Sequence, residues 1–495
     1  MIPQIPGDVI RIILENYLTH TKKSLYKLLF VNRLWCRIAI PLLWKNPWSN
    51  LNSWSSISKT ILLCCDSNLK QLLLSCCDSN LKKILYEKGM ITTPLFNYVS
   101  YIQTLSKGII ESLVNGILTE YDDLNDKENK NNRINQKDIY KLLQVTFWNI
   151  IMSECNKLKY LNLPDYSICH FNGTKTCLPS LVKLNCSTFI PSNYFFELSK
   201  ICHNLQDIII YCFQDNRGLA QLIKSQKRLK RIELNSNNND ILCPLIGEAL
   251  LNQSNTITYI NFKNELCISP EFLNSLINCK ELVINIQSES NFDLGKLDLI
   301  KLPNLNTLSF YIYQHAPFST ALNSLSNVIL SSSFPPKNYS HLKELNLDLY
   351  PKYLTTESIK NYLNTITKTC PLLESVVVWV SKDVLLDLES FLNKCRYLQE
   401  IRFVSIESVE NDNKVDIKNI LDILVSNNIL PDLSKIIFKE NWKFTKDNLS
   451  EFLESWRINK NHPLNYLNIV TSDELVIEVC KKFKQIGVLK SYVFD

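Results

Sequence analysis

Cysteine and histidine are the side chains in this sequence best suited to chemistry, and their spacing argues against most of it. Six histidines, at 20, 170, 203, 315, 341 and 462, stand apart from one another. Catalytic zinc needs ligands grouped on one element, as in His-Glu-x-x-His. Cys202 beside His203 is the one adjacent thiol and imidazole, yet a nucleophile and its base meet in space rather than along the chain. The pairs Cys64–Cys65 and Cys76–Cys77 have the count of a tetrathiolate site. Neighbours on a helix point about 100° apart, however, and a direct duplication of CCDSNLK, at 64–70 and again at 76–82, explains the count without a metal. The nine glycines include no pair closer than Gly108 and Gly116, which leaves no glycine-rich loop to cradle a phosphate. The expectation is a protein that is not an enzyme and carries no metal or cofactor.

The 17 cysteines are odd in number and form no C-x-x-C pair. With no secretory leader at MIPQIPGDVIR they read as reduced thiols packed as small apolar side chains. Five of them, Cys155, Cys202, Cys279, Cys370 and Cys395, close a helix-like stretch three residues before an apolar run begins. A small side chain at a tight helix-to-strand corner accounts for that placement, Cys202 included.

The apolar runs are the larger signal. From residue 151 onward the spacing L-x-x-L-x-L recurs as LKYLNL at 158, LVKLNC at 181, LQDIII at 205, LKRIEL at 229, ITYINF at 257, LNTLSF at 305, LKELNL at 342, LESVVV at 373, LQEIRF at 398, LSKIIF at 433, LNYLNI at 464 and LKSYVF at 489, with a weaker copy, LVINI, at 282. Steps run from 23 to 37 residues, mostly near the 20 to 29 of leucine-rich repeats, the long ones carrying inserted loops. Each copy predicts a short strand whose second and third apolar residues point inward. Segments with helical spacing lie between copies: EFLNSLINC (271–279), SIKNYLNTITKTC (358–370), LLDLESFLNKC (385–395) and IKNILDILVSNNI (417–429). One unit cannot bury its apolar face alone, whereas stacked units share a continuous core. The predicted class is α/β, a leucine-rich-repeat solenoid over 151–495, preceded by a helical connecting region at 49–150 and a small all-helical domain at 1–48. DDLNDKENKNNRINQKD (122–138) and NSNNND (235–240) lack apolar periodicity and read as solvated loops.

Composition bounds the partners. The net charge of +6 arises from 54 basic and 48 acidic residues spread along the chain, so no basic stripe points to nucleic acid. No run approaches the roughly 18 apolar residues of a membrane span. An intracellular protein, cytoplasmic or nuclear, is expected.

The front of the chain is where function is most legible. In IPGDVIRIILENYL the residues Ile10, Ile13, Leu14, Tyr17 and Leu18 follow one helical face, with Asp8 placed to cap it. In SLYKLLFVNRLWCRIAIPLLW, Leu25, Leu28, Leu29, Val31, Trp35, Ile38 and Ala39 continue in short helical turns, and Pro41 ends the last or opens a new one. Three helices so small bury part of this apolar surface and offer the rest for docking. Ile5-Pro6, Ile10, Ile13, Leu14, Leu18, Leu25, Val31, Trp35 and Leu43-Trp44 together resemble the F-box consensus in order and spacing, over about residues 3 to 48. Ile5 stands where that family has Leu, and THTKKS where it has an Asp-Pro turn. With a repeat array behind it, the chain resembles F-box/leucine-rich-repeat proteins of the divergent fungal kind.

That resemblance implies the substrate-recognition subunit of an SCF-type ubiquitin ligase. The F-box would dock on a Skp-family adaptor, and through it on a cullin–RING scaffold, while the repeats hold a protein substrate; the contribution to rate is proximity. Pro6, Ile10, Leu14, Val31, Trp35 and Trp44 would then carry adaptor contacts or the packing beneath them. The alternative is a repeat scaffold without ligase recruitment, its front helices an ordinary cap on the solenoid. Strand residues between the inward positions would face the concave surface, and among them Tyr259, Tyr311, Trp379 and Arg402 are of the types that anchor partners. ESVVVWVS is apolar on both faces, which places Val377 and Trp379 outward yet oily unless another segment covers them.

Overall fold

Fourteen strands, β1 to β14, lie in chain order in a parallel sheet. Sixteen α-helices are described alongside them. The computed structural model describes residues 6–18, 25–50, 54–76, 81–82, 94–125, 136–236, 241–264, 266–286, 301–312, 322, 325–329, 341–349, 354–406, 417–425, 430–439, 442–460 and 462–494. The THTKKS turn, most of the loops read at 122–138 and 235–240, and the middle of the second CCDSNLK copy lie outside the described residues. The chain divides into two compact units, one of residues 1–210 with 216–229, the other of 211–215 with 230–495.

The first unit opens with helices α1 (Gly7–Leu18), α2 (Leu25–Leu28) and α3 (Arg33–Leu43), followed by α4 (Trp54–Leu63) and α5 (Ser67–Cys76). Pro6 starts α1, its carbonyl accepting the amides of Val9 and Ile10. Asp8 therefore sits inside the first turn rather than capping it, where its charge still suits the helix dipole. Asn32 caps α3 by accepting the Trp35 amide at 3.0 Å. Pro41 does not end α3; the helix runs through it to Leu43. Ile10, Leu14, Ala39 and Leu42 form the core of this front bundle, with Leu28, Leu29, Trp35, Ile38 and Leu43 packed against it.

Next come β1 (Thr104–Ser106), α6 (Lys107–Asn125), α7 (Gln136–Glu154), β2 (Tyr160–Asn162), α8 (Thr174–Cys177), β3 (Lys183–Ser187), α9 (Ser192–Ser199), β4 (Asp207–Cys212), whose last two residues belong to the second unit, and α10 (Arg217–Lys224). The sheet thus begins ahead of the array predicted from residue 151. At β1 the spacing reads Ile102-x-x-Leu105 and then meets Lys107 where a third apolar residue belongs, which hid this strand from the pattern.

The second unit holds β5 (Arg231–Ser236), α11 (Pro244–Leu251), β6 (Tyr259–Asn264), β7 (Glu281–Ile286), β8 (Thr307–Ile312), β9 (Glu344–Asp348), α12 (Thr356–Thr369), β10 (Ser375–Val380), α13 (Leu385–Lys394), β11 (Glu400–Ser405), α14 (Ile417–Val425), β12 (Lys435–Lys439), α15 (Lys446–Asn459), β13 (Leu464–Ile469), α16 (Glu474–Gln485) and β14 (Leu489–Phe494). EFLNSLINC, read as helical, makes a 3-10 turn at Pro270–Ser275. Thr355 and Thr445 open α12 and α15 with reciprocal capping boxes.

One hydrogen-bond device sets the register. Along most of the sheet the carbonyl just before a strand accepts two consecutive amides from the start of the next. In the first unit Gln103 accepts Lys159 and Tyr160, Lys159 accepts Val182 and Lys183, and Val182 accepts Gln206 and Asp207. In the second unit the same ladder climbs through Lys230, Thr258, Lys280, Asn306, Lys343, Glu374, Gln399 and Ser434. The longest step in the pattern, from 305 to 342, leaves the ladder intact at Asn306 and Lys343.

Beneath the strands the apolar positions are sealed: Leu158, Leu161, Leu205, Ile208, Ile210, Ile257, Ile260, Leu398, Ile401 and Phe403 are all buried. Each such side chain contributes about 1.5–3 kcal/mol. Pairing of Ile260 with Leu282 corrects one copy, since the first apolar position of that repeat is Cys279 and not Leu282. Cys155, Cys202 and Cys395 do occupy the corner and donate to the carbonyls of Ile102, Leu178 and Cys370.

Candidate functional site

The front bundle is too thin to hide all its apolar residues. Ile10 and Leu14, expected to carry adaptor contacts or the packing beneath them, are each only 1% exposed and form the bundle core; theirs is the packing beneath the surface. Trp35 leans on the same core, half-buried. Trp44 is also half-buried, its ring centroid 4.7 Å from that of Tyr98, so it faces its own chain. Pro6 is exposed, and Val31 is 54% exposed.

Around these stand apolar residues that the pattern did not single out as docking residues. Val9, Ile12 and Ile13 form a second stripe on α1 at the i, i+3, i+4 spacing, with Ile12 59% exposed. Phe30, 89% exposed, and Leu34 flank Val31 at the start of α3. The signal was present, because α1 is apolar on two faces. Ile13 belongs to the exposed stripe and not to the face of Ile10 and Leu14.

Charge accompanies this surface. A groove lined by Asp8, Arg11, Arg37, Lys45, Tyr101 and Lys157, among others, runs beside α1 and α3. Glu15 accepts from Arg11 and from Lys45, each at 3.3 Å, and these hydrogen bonds hold its carboxyl below the ordinary carboxylate range.

The open face of the second unit's sheet places three of the four predicted substrate anchors among polar neighbours. The Arg231 guanidinium lies 3.5 Å from the centroid of the Tyr259 ring, and burial raises that phenol. Arg231, Tyr259, Glu281, Thr307 and Glu344 share one register row. Tyr311 stands four residues along, in register with Asn285 and Asp348. Arg402 pairs with Glu400 at 2.7 Å, Glu400 also pairs with Lys435 at 2.9 Å, and the Lys435 ammonium lies over Tyr466.

Trp379 does not belong to this face. It is 0% exposed, as an edge-to-face partner of Tyr362 on α12 at 5.8 Å, and the Tyr362 hydroxyl donates to the Val377 carbonyl. Val377 is buried too. The second half of β10 is enclosed on both sides, so the tryptophan expected outward packs against the helix that precedes its strand.

The thiols sort by burial. Cys202 donates to Leu178, and burial pushes its thiol up to about 12. Cys65 is raised to about 12 by the same cause. The structure does bring together three cysteines not singled out from the sequence: the sulfurs of Cys212, Cys243 and Cys267 all lie within 4.8 Å of one another, and all three residues are buried.

No protein-family model matches the chain, and no curated protein matches it. Among solved structures, a protein of Bacteroides fragilis from a structural genomics programme is similar at 13% identity with a TM-score of 0.32, over 58% of this chain and 75% of that one. No described helix is long and apolar enough to cross a membrane.

Proposed function

We propose that this chain is the substrate-binding subunit of an SCF-type ubiquitin ligase, an F-box domain followed by leucine-rich repeats. The observation that carries the reading is the front bundle itself: Ile10, Leu14, Ala39 and Leu42 form its core, yet Val9, Ile12, Ile13, Phe30, Val31 and Leu34 remain exposed. Exposed apolar side chains gathered on so small a bundle mark an interaction site. The F-box resemblance names its partner, a Skp-family adaptor that recruits a cullin–RING scaffold. The repeats behind it would hold a protein substrate on the open face of the sheet, with Tyr259, Tyr311 and Arg402 as anchors.

The protein does no chemistry in this scheme. Its effect is to raise the local concentration of substrate lysines at a charged conjugating enzyme. Co-purification of full-length protein with a purified Skp-family adaptor tests the reading. Capture at one-to-one stoichiometry is the expected result, and absence of capture with a folded chain contradicts it.

A further inference from the structure

The repeats bring the sulfurs of three buried cysteines, Cys212, Cys243 and Cys267, within 4.8 Å of one another. Cys212 ends β4, Cys243 precedes α11, and Cys267 follows β6. Their exposures are 1%, 0% and 0%. The backbone around them is fixed before any ligand arrives. The Cys243 amide donates to the Cys267 carbonyl at 2.7 Å. The Asp215 carboxylate, three residues beyond Cys212, accepts the amides of Leu245 and Ile246 at the start of α11.

We propose that Cys212, Cys243 and Cys267 form a three-sulfur site for a soft monovalent metal ion, Cu(I). Three sulfurs around one ion at about 2.3 Å stand about 4 Å apart, inside the 4.8 Å span measured here. Thiolate donors select Cu(I), zinc or iron–sulfur clusters. Structural zinc takes four ligands, and among the described residues no fourth Cys, His, Asp or Glu joins the cluster. A dry three-sulfur pocket suits trigonal Cu(I) and shields it from oxidation. Each thiol that binds as thiolate releases one proton to solvent, and no electron changes hands. The Cys243 thiol donates to the Gln214 carbonyl at 3.6 Å, a contact that binding as thiolate gives up.

The test uses the full-length protein, reduced and under argon, titrated with Cu(I) against bicinchoninate and in parallel with Zn(II) against a chromophoric zinc chelator. One equivalent of Cu(I) is expected, held at least tenfold more tightly than Zn(II). Copper X-ray absorption should show three sulfurs at about 2.3 Å, and loading should raise the melting temperature. Cys243→Ser and Cys267→Ser should each lose that equivalent and the rise in melting temperature. Cys186→Ser and Cys480→Ser, which alter buried cysteines elsewhere, should keep both. An equivalent that survives in Cys243→Ser and Cys267→Ser overturns the site, as does a wild-type absorption spectrum lacking three sulfurs or a Zn(II) equivalent that Cu(I) does not displace. The wild-type spectrum decides even if a serine variant fails to fold.

Discussion

At the scale of single residues, the account turns on which side chains have room. A Cβ built on Gly218 would lie 2.0 Å from the Ser192 carbonyl oxygen. Gly218→Ala must therefore push α10 away from the start of α9, and we expect a loss of ~2 kcal/mol or more, read as a lower denaturation midpoint. Glu400 gives a pH signature. Burial alone would raise its carboxyl, but hydrogen bonds from Lys435 and Arg402 outweigh burial and hold it below the ordinary value. A carboxylate lowered on folding stabilises above its unfolded pKa, about 4.3, and that stability disappears as pH falls through the lower folded value. Glu400→Gln should thus cost about 0.5 kcal/mol at neutral pH and nothing once pH is below both values, a difference measurable by urea melts at the two pH values. Trp379 shows where residue-level reading failed. Strict alternation along a strand assigned it outward, but alternation holds only where one face is open, and the second half of β10 has none.

Elements were legible wherever an apolar triplet was complete. All thirteen copies read from the sequence correspond to strands, β2 to β14. β1 escaped because Lys107 takes the place of its third apolar residue, and the copy at 282 was misplaced because Cys279 takes the place of the first. In the front bundle the helical face was legible at Ile10 and Leu14 but not at Ile13, since α1 has two apolar stripes and spacing alone does not say which one meets α3. That distinction separates two variants. Ile10→Ala should cost about 2–4 kcal/mol of front-bundle stability, seen as early loss of helical signal on denaturation. Ile12→Glu, on the exposed stripe, should stay within about 0.5 kcal/mol of the parent in the same experiment.

Over the whole molecule, stability within each unit is a chain of nearest-neighbour terms, because along the ladder the carbonyl before a strand binds the start of the strand that follows. Long steps in the repeat pattern cost little as long as the ladder closes across them. Amides of Lys343 and Glu344, which bond to Asn306 across the longest step, should exchange as slowly as those of Lys280 and Glu281; rapid exchange there would mean the ladder is broken at that point. The candidate site was only partly legible at this scale. The sequence shows that the front segment carries more apolar residues than a small bundle can bury, but folding decides which of them are left outside.

The most direct test of the central claim is calorimetric titration of a purified Skp-family adaptor into the full-length chain and into Ile12→Glu and Val31→Glu. We expect the parent to bind and each variant to lose at least tenfold in affinity, a cost of about 1.4 kcal/mol or more, with unchanged melting. A folded parent that does not bind, or variants that bind as tightly as the parent, would contradict the assignment of this surface.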